Sequence, residues 1–241
     1  MDKYWLERTE LLIKEEGLEK LHNANVLVVG LGGVGSFAAE FLARAGIGKM
    51  TIVDGDTVDI TNVNRQLPAL HSTVGKHKVE VVAERLLDIN PRLHLTKINE
   101  FLNPERMEEV LDTDTFDFVL DCIDSVTPKL SLIIAAKRRR IKIVSSMGAG
   151  GKTDPSKVLV RDISKTEHCH LARQIRKRLR KVKIDKGVRC VFANDIQDED
   201  SLKMTDGTNY KRSFYGTISY MPAIFGLYAA AEVINYLIEK D

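Results

Sequence analysis

Cysteine is scarce in this chain, and an N-terminal secretory signal is missing. Three cysteines occur among 241 residues, at Cys122, Cys169 and Cys190, without a pairing pattern. Their scarcity argues against a disulfide framework and indicates a reducing compartment. Residues 1–17 are rich in charge rather than apolar, so they do not read as a signal peptide. We therefore expect a cytoplasmic protein.

A strong net charge and an uninterrupted membrane span are also absent. The formal charge is +2, and 44% of the residues are hydrophobic, which suits a globular chain with a proper core. The apolar stretch 215–238 contains Pro222, Glu232 and Asn235. These residues favour a packed helix or a dimer face over a membrane helix.

Four of the sixteen glycines lie together in one motif. An apolar run at residues 26–29 is followed by G-x-G-x-x-G, with Gly30, Gly32, Gly33 and Gly35, and then by apolar residues at helical spacing. Glycines at such a turn let backbone N–H groups approach a phosphate, and the positive end of the next helix stabilises its charge. Set between a strand and a helix, the motif predicts a nucleotide site.

Two acidic residues follow the next predicted strand. Asp54 lies nineteen residues after Gly35, and Asp56 is close behind. A ribose-binding acid is expected at this place in NAD enzymes as well as in ATP-binding ones. The motif alone therefore does not separate hydride transfer from ATP chemistry.

A polar, aperiodic segment, residues 60–78, comes next. Asn62, Arg65, Gln66 and Lys78 offer amide and cationic groups on the carboxyl side of a strand, where open α/β sheets bind ligands. Such a cluster suits a triphosphate. Solvated loop charges remain the alternative, because charged side chains are mostly exposed.

A further pair of acids, Asp121 and Asp124, ends the fourth predicted strand. A carboxylate in that position, together with phosphates, is a usual anchor for Mg²⁺. One of the two is expected to cap the helix that begins near Ser125 instead.

Strands and helices alternate along the chain, which predicts an α/β protein with a doubly wound, mostly parallel sheet and a Rossmann-like ATP-binding half. Leu11 and Leu12 are expected in the apolar stripe of an N-terminal helix, and residues 198–213 in a mobile loop. Cys190 lies in an apolar run and is expected to be a buried structural thiol, with an acyl- or sulfur-accepting thiol as the alternative.

Basic residues cluster in the second half, where residues 165–189 hold ten against two acidic ones. Such a stripe is the footprint of phosphate-backbone binding, although a solvated face is the common alternative. Aromatic residues for base stacking are scarce within it, so it would provide shape and phosphate contacts. The basic residues are Lys165, Arg173, Arg176, Lys177, Arg178, Arg180, Lys181, Lys183, Lys186 and Arg189.

The motifs together resemble those of the ubiquitin-activating-enzyme-like adenylyltransferases, in order and at matching spacing from Arg8 to about Gly151. An NAD dehydrogenase would not need the Asn-Arg-Gln and Lys78 elements. The motifs are Gly30-Leu31-Gly32-Gly33-Val34-Gly35, Asp54-Gly55-Asp56, Asn62-Val63-Asn64-Arg65-Gln66, Val74-Gly75-Lys76-His77-Lys78, Ile89-Asn90-Pro91 and Asp121-Cys122-Ile123-Asp124.

Within that superfamily the chain is most similar to the tRNA threonylcarbamoyladenosine dehydratases, over nearly its whole length. The activators of sulfur-carrier proteins typically have two CxxC zinc pairs, and this sequence has none. The similarity to the dehydratases rests on Arg65-Gln66 with Ala69-Leu70, Ile123-Asp124-Ser125 with Pro128-Lys129, Gly148-Ala149-Gly150-Gly151, Asp154-Pro155, Lys165-Thr166 and Cys190-Val191-Phe192.

The resemblance implies a role for each matching position. The glycine turn would lie against the phosphates of ATP, Asp54 would hold the ribose, and Asp124 would hold Mg²⁺. Arg8 would reach into the ATP site of a partner subunit of a homodimer. The triphosphate would be bound by Asn62, Arg65 and Lys78. Asp56 and Gln66 belong to the same motifs of the nucleotide site.

The implied activity is ATP-dependent dehydration of threonylcarbamoyladenosine in tRNA, through an acyl adenylate that cyclises with release of AMP. It implies one domain, with a nucleotide-binding half at residues 1–151 and a substrate-binding and dimerisation half at 152–241. The basic stripe would then bind tRNA, and sulfur-transfer proteins are possible further partners. The alternatives are adenylation of a ubiquitin-like sulfur carrier, a non-catalytic nucleotide-binding module, and a dehydrogenase.

Overall fold

The structure, a computed structural model, describes residues 4–204 and 213–239. A central sheet is flanked by helices on both faces. The helices are α1 (Glu7–Asn23), α2 (Gly35–Arg44), α3 (Lys78–Ile89), α4 (Pro104–Asp112), α5 (Val126–Arg138), α6 (His170–Lys181) and α7 (Tyr220–Glu239). The strands are β1 (Asn25–Val29), β2 (Lys49–Val53), β3 (His94–Ile98), β4 (Phe118–Asp121), β5 (Lys142–Ser146), β6 (Val158–Asp162), β7 (Arg189–Ala193), β8 (Leu202–Met204) and β9 (Ser213–Tyr215).

The central sheet has seven strands in the order β3-β2-β1-β4-β5-β7-β6. All neighbouring pairs are parallel except β6 with β7, which is antiparallel. Strand β1 lies between β2 and β4, and from it the chain builds the sheet outward first on one side and then on the other. Such a reversal of strand order makes a crevice at the carboxyl ends of these strands. The predicted doubly wound, mostly parallel α/β fold is confirmed.

Alternate side chains of the strands pack against different helical layers. In β1, Val26 and Val28 join the core beneath α1, α2, α3 and α7, whereas Leu27 and Val29 join the core beneath α4, α5 and α6. All five residues of β1 are buried, as expected for a strand covered on both faces. The middle of the sheet, which carries the glycine turn, is therefore held from both sides.

The N-terminal helix departs from its predicted packing. The helix is kinked at Lys14, whose φ is +64°, and Leu11 and Leu12 are 69% and 82% exposed. The apolar contacts come instead from Leu18 and Leu21, which are buried. The expectation that Leu11 and Leu12 belong to the buried stripe was wrong, because the kink turns the first half of the helix away from the core.

The segment expected as a loop, residues 198–213, contains regular structure. A 3₁₀ turn at Glu199–Ser201 leads into β8, which pairs in antiparallel fashion with β9. The pair Asp206-Gly207, on which the loop prediction rested, lies outside the described residues.

Helix α7 is long and apolar enough, by length and composition, to cross a membrane, with a mean hydropathy of 1.4. It lies over the sheet and packs against α2, α1 and β5. Met221, Phe225 and Val233 are fully buried there, while Leu227 and Tyr228 are exposed. One side of α7 thus forms part of the core.

Candidate active site

The glycine turn between β1 and α2 is shaped by the packing of the chain itself. Gly30 has a φ of +93°, and a Cβ added to it would lie 2.9 Å from the carbonyl oxygen of Cys122. A Cβ on Gly35 would lie only 1.8 Å from the carbonyl oxygen of Gly30. One on Gly33 would meet Pro222 and the Arg65 carbonyl oxygen at 2.8 and 3.0 Å. These three positions need glycine for folding alone.

Gly32 is different. The nearest atom to an added Cβ would be Nε2 of Gln66, at an ordinary contact distance of 3.7 Å, and Gly32 does not have a left-handed φ. Nothing in the described part of the chain therefore requires a glycine there. Helix α2 begins directly after the turn, without a side-chain hydrogen bond to its N-terminus. A bare backbone beside a helix N-terminus suits a phosphate.

Asp54 holds this turn in place. Its Oδ2 accepts a hydrogen bond from the Leu31 N–H (2.6 Å), and its Oδ1 accepts one from the Asp56 N–H (2.8 Å). Burial raises the pKa of Asp54, and the charge of Lys78 and the two N–H donors oppose that rise. Each oxygen keeps a second lone pair, so the predicted contact to a ribose hydroxyl is compatible with these bonds.

Lys78 and Asp56 lie together at the start of α3. Lys78 Nζ lies 3.0 Å from Asp56 Oδ2, and the Lys78 N–H donates to the Asp56 carbonyl oxygen at 3.0 Å. The two contacts fix both ends of the lysine against the strand end that carries Asp54. A buried cation is thereby directed at the crevice.

The polar segment after β2 folds into a 3₁₀ turn, Ile60–Asn62. Oδ1 of Asn62 accepts the Asp59 N–H in a capping box, so this amide oxygen serves the turn rather than a ligand. Arg65 donates through Nη1 to the Thr61 carbonyl oxygen and to Oδ1 of Asn64 (both 2.8 Å). If Asn62 contacts the triphosphate as predicted, the contact is made by its side-chain amide nitrogen.

Arg65 and Gln66 face the crevice at its edge. Arg65 is half-buried, which lowers its pKa, while the negative charge of Asp124 raises it. Oε1 of Gln66 is buried and accepts no hydrogen bond from the described residues. A polar atom in that state next to Gly32 is compatible with a ligand in the crevice.

The prediction that Asp121 or Asp124 caps the following helix was wrong. The N-cap of α5 is Ser125, and no side chain caps the helix. Asp121 is fully buried and bound to Lys129, with Oδ2 2.7 Å from the lysine Nζ. Sequence reasoning missed Lys129, because its partner lies eight residues away on another element and only the Pro128-Lys129 similarity marked the place.

Asp124 is exposed at the carboxyl end of β4. Within residues 4–204 and 213–239, no group of three or more His, Cys, Asp and Glu side chains could hold a metal by itself. Mg²⁺ commonly takes one or two carboxylates and completes its shell with phosphate oxygens and water. One exposed carboxylate in the crevice fits a metal that arrives with a nucleotide.

Arg8 does not join the other predicted site residues within its own chain. It lies two residues after Leu6, whose side chain packs against Gly46. Gly46 connects α2 to β2, so it lies at the end of the sheet where the strands begin, opposite the end that carries the glycine turn. Arg8 is exposed and follows this contact, near the end of the sheet opposite the glycine turn.

The basic stripe is only partly a charged surface. Arg176 is half-buried and donates to the carbonyl oxygen and Oγ1 of Thr166 (2.8 and 2.5 Å), and Arg189 forms an ion pair with Glu232 (2.5 Å). Arg176 is thereby bound within the fold, whereas Arg189 remains exposed beside its ion pair. The remaining eight are exposed.

Cys190 is a buried thiol in β7. It is 0% exposed, and burial raises its pKa well above the usual range, so the thiolate is disfavoured. These observations agree with a structural role and oppose a reactive one.

The glycine turn, Lys78 and Asp124 thus lie at the carboxyl ends of the central strands and of the connections that follow them. The ThiF family model matches residues 6–241. The chain belongs to the ThiF family. It is 41% identical to a tRNA threonylcarbamoyladenosine dehydratase of Bacillus subtilis, over 96% of this chain and 94% of the relative.

A solved structure agrees along the whole ThiF-family chain. The crystal structure of the E. coli tRNA N6-threonylcarbamoyladenosine dehydratase TcdA in complex with ATP has a TM-score of 0.90 and 36% identity. It covers 100% of this chain and 97% of the TcdA chain. A molybdopterin-synthase adenylyltransferase of Salmonella typhimurium is 38% identical, but over only 54% of this chain and 51% of the relative. The similarity to the dehydratases thus includes the second half.

Proposed function

We propose that this protein is an ATP-dependent tRNA threonylcarbamoyladenosine dehydratase. The observation that carries this proposal is the extent of the similarity. The dehydratases match both the nucleotide crevice and the half with β6, α6 and β7, whereas the molybdopterin relative matches about half of the chain. The substrate-facing part of an adenylating enzyme is what distinguishes its substrate.

The crevice suits activation of a carboxylate by ATP. The threonyl carboxylate attacks the α-phosphorus of ATP, which forms the acyl adenylate and releases pyrophosphate. Arg65 and Lys78 would stabilise the departing negative charge, and the bare backbone at Gly32 would let the phosphates approach closely. This step needs positioning and charge neutralisation rather than a nucleophile from the enzyme.

Ring closure then removes the elements of water from the modified nucleoside. The carbamoyl oxygen attacks the activated carbonyl carbon, a C–O bond forms, the C–O bond to the phosphate breaks, and AMP leaves with the electron pair. The proton lost from the ureido nitrogen passes to solvent. The oxygen removed from the carboxylate leaves as part of AMP.

Mg²⁺ is the further cofactor that we propose, and its charge would neutralise phosphate oxygens. Asp124 would hold it, because this exposed carboxylate stands at the carboxyl end of β4 and interacts electrostatically with Arg65. Asp54 is committed to the turn through both of its oxygens and is less available.

The tRNA would lie along α6, and its position relative to the crevice supports this. The helix begins next to the turn that follows β5, since Leu171 lies 4.0 Å from a Cβ built on Gly148. Along the helix, Arg173 to Lys181 span about 12 Å. Phosphates of an RNA stem could follow this line while one nucleoside reaches the crevice.

We also propose that the protein acts as a homodimer in which Arg8 completes the partner's site. Arg8 lies near the end of its own sheet where the strands begin, and the exposed Leu11 and Leu12 in the same helix offer apolar surface to a second copy. An arginine supplied from another subunit stabilises transferring phosphates in other enzymes.

The direct test of the proposed function measures AMP release from ATP and Mg²⁺ with tRNA that carries threonylcarbamoyladenosine. We expect AMP formation to depend on that tRNA, and mass spectrometry of the nucleoside to show the loss of one water. Unmodified transcript of the same tRNA is the control. If a sulfur-carrier protein with a C-terminal Gly-Gly releases pyrophosphate and the modified tRNA does not, the proposal is wrong.

A further inference from the structure

Lys129, the fourth residue of α5, is a cation with no exposed surface. Its Nζ donates to Oδ2 of Asp121 (2.7 Å), to the carbonyl oxygen of Ser146 (2.8 Å) and to Oγ of Ser145 (3.2 Å). The Ser145 hydroxyl itself donates to the same Asp121 oxygen at 2.5 Å. All three protons of the ammonium thus have an acceptor.

Stability alone does not explain this pair. Removing an ammonium and a carboxylate from water is costly, and a well-packed hydrophobic replacement is often equally stable. Burial raises the pKa of Asp121, and the charge of Lys129 opposes that rise. Where a buried ion pair carries a function, it commonly selects one arrangement of the chain around it.

The network lies directly beneath the turn that carries Asp124. The second oxygen of Asp121, Oδ1, accepts the Ile123 N–H at 3.1 Å and so bends the chain immediately after β4. Cys122 follows Asp121 directly, and its carbonyl oxygen would lie 2.9 Å from a Cβ added to Gly30. The same short turn therefore connects the buried pair, the glycine turn and Asp124.

The anchoring points are the ends of two neighbouring strands. Asp121 pairs in register with Ser145 of β5 on one side and with Val29 of β1 on the other. A single ammonium that bonds to Asp121 and to Ser146 thus ties the ends of β4 and β5 together. Among residues 4–204 and 213–239, the other links between the ends of β4 and β5 are the strand pairing and the Ser145 hydroxyl.

We propose that Lys129 is a positioning residue of the nucleotide site: its ammonium ties Asp121 to the ends of β4 and β5 and thereby holds Asp124 within electrostatic reach of Arg65. The inference rests on the proposed ATP-dependent function. Its test reads the affinity for ATP, which needs no tRNA, so the two proposals can fail separately.

The test is a double-mutant cycle between Lys129 and Asp124, read by calorimetric titration with ATP in the presence of Mg²⁺. If Lys129 acts through Asp124, K129M weakens ATP binding about tenfold, and K129M/D124N binds within about twofold of D124N alone. If the full loss caused by K129M persists in the D124N background, the two residues act independently and the inference is overturned.

Because K129M leaves a buried carboxylate without its cation, it could unfold the protein. The charge-free pair D121N/K129M avoids this, and it is expected to fold and to keep the reduced ATP affinity. Recovery of wild-type affinity in that double variant would show that the ammonium is not needed for positioning.

Lys152 provides a matched control. It is also buried, but its Nζ donates only to backbone carbonyl oxygens, those of His168, Ala193 and Asp195 (3.1, 2.8 and 2.5 Å). K152M should lower the melting temperature as K129M does, while ATP affinity changes by less than about twofold. An equal loss of ATP affinity in K152M would mean that any missing buried cation has this effect, which contradicts a specific role for Lys129.

Discussion

Lys78 Nζ lies 3.0 Å from Oδ2 of Asp56, and the lysine side chain is 5% exposed while that of the aspartate is 46% exposed. The cation is thus held in a fixed place, and its partner is open to solvent. In the proposed nucleotide site, a phosphate would share or replace the carboxylate while the lysine stays in place. Such preorganisation lowers the cost of stabilising negative charge during the reaction.

Loss of this ammonium should therefore be severe. Replacing Lys78 with Met removes the cation and leaves Asp56 to repel the phosphates. We expect kcat/KM for tRNA-dependent AMP formation to fall about a hundredfold or more. The exposed Lys76, two residues earlier in the same segment, is the control, and K76M should retain activity within about threefold. Equal losses in both variants would contradict a specific role for Lys78.

Two glycines of the turn should respond differently to alanine. At Gly32 the new methyl group meets only the Gln66 amide, so G32A should change the free energy of unfolding by less than about 1 kcal/mol. The methyl group would occupy the space of an approaching phosphate, and ATP affinity should fall about tenfold or more. Urea unfolding and ATP titration measure the two effects.

Gly35 is the comparison for that experiment. An alanine Cβ there would lie 1.8 Å from a carbonyl oxygen, which the backbone cannot accommodate without moving. G35A should therefore lose about 3 kcal/mol or more of stability. If G32A binds ATP as tightly as the wild type, the phosphates do not lie against Gly32.

The basic surface on α6 makes a prediction about salt. Lys177 and Lys181 are exposed, and each phosphate contact adds about 0.7 to 0.9 to the slope of log K against log salt. K177Q/K181Q should reduce the slope for tRNA binding by about 1.5. R176Q also removes one charge, but it breaks the bonds to Thr166, so it should lower stability and leave the slope unchanged. An unchanged slope in K177Q/K181Q would show that these lysines of α6 are solvated and do not contact the tRNA phosphates.

Action of Arg8 across a dimer can be tested by mixing two inactive variants. R8A lacks the donated arginine and K78M lacks the receiving site. In a random mixture half of the dimers contain both variants, and each of these has one complete site if Arg8 acts in the partner. We therefore expect about a quarter of wild-type activity. No recovery in a mixture shown to contain mixed dimers would contradict the proposal.

The parts of the fold that sequence predicted are those set by local pattern. Strand β1, the glycine turn and helix α2 are confirmed, because the apolar period and the glycines act over adjacent residues. The partner of Asp121 was not predictable, since Lys129 and Ser145 meet it only after two further elements have packed. The exposure of Leu11 and Leu12 depends on the kink at Lys14, which no glycine or proline marks.

Formation of an acyl adenylate from the substrate carboxylate, before cyclisation, is the step on which the proposed reaction depends. It is tested most directly with tRNA whose threonylcarbamoyl carboxylate carries a heavy oxygen isotope, incubated with the protein, ATP and Mg²⁺. Because the carboxylate oxygen attacks phosphorus and later leaves with it, the AMP released should contain one labelled oxygen. Unlabelled AMP together with a cyclised nucleoside would show that the carboxylate is not adenylated and would contradict the mechanism.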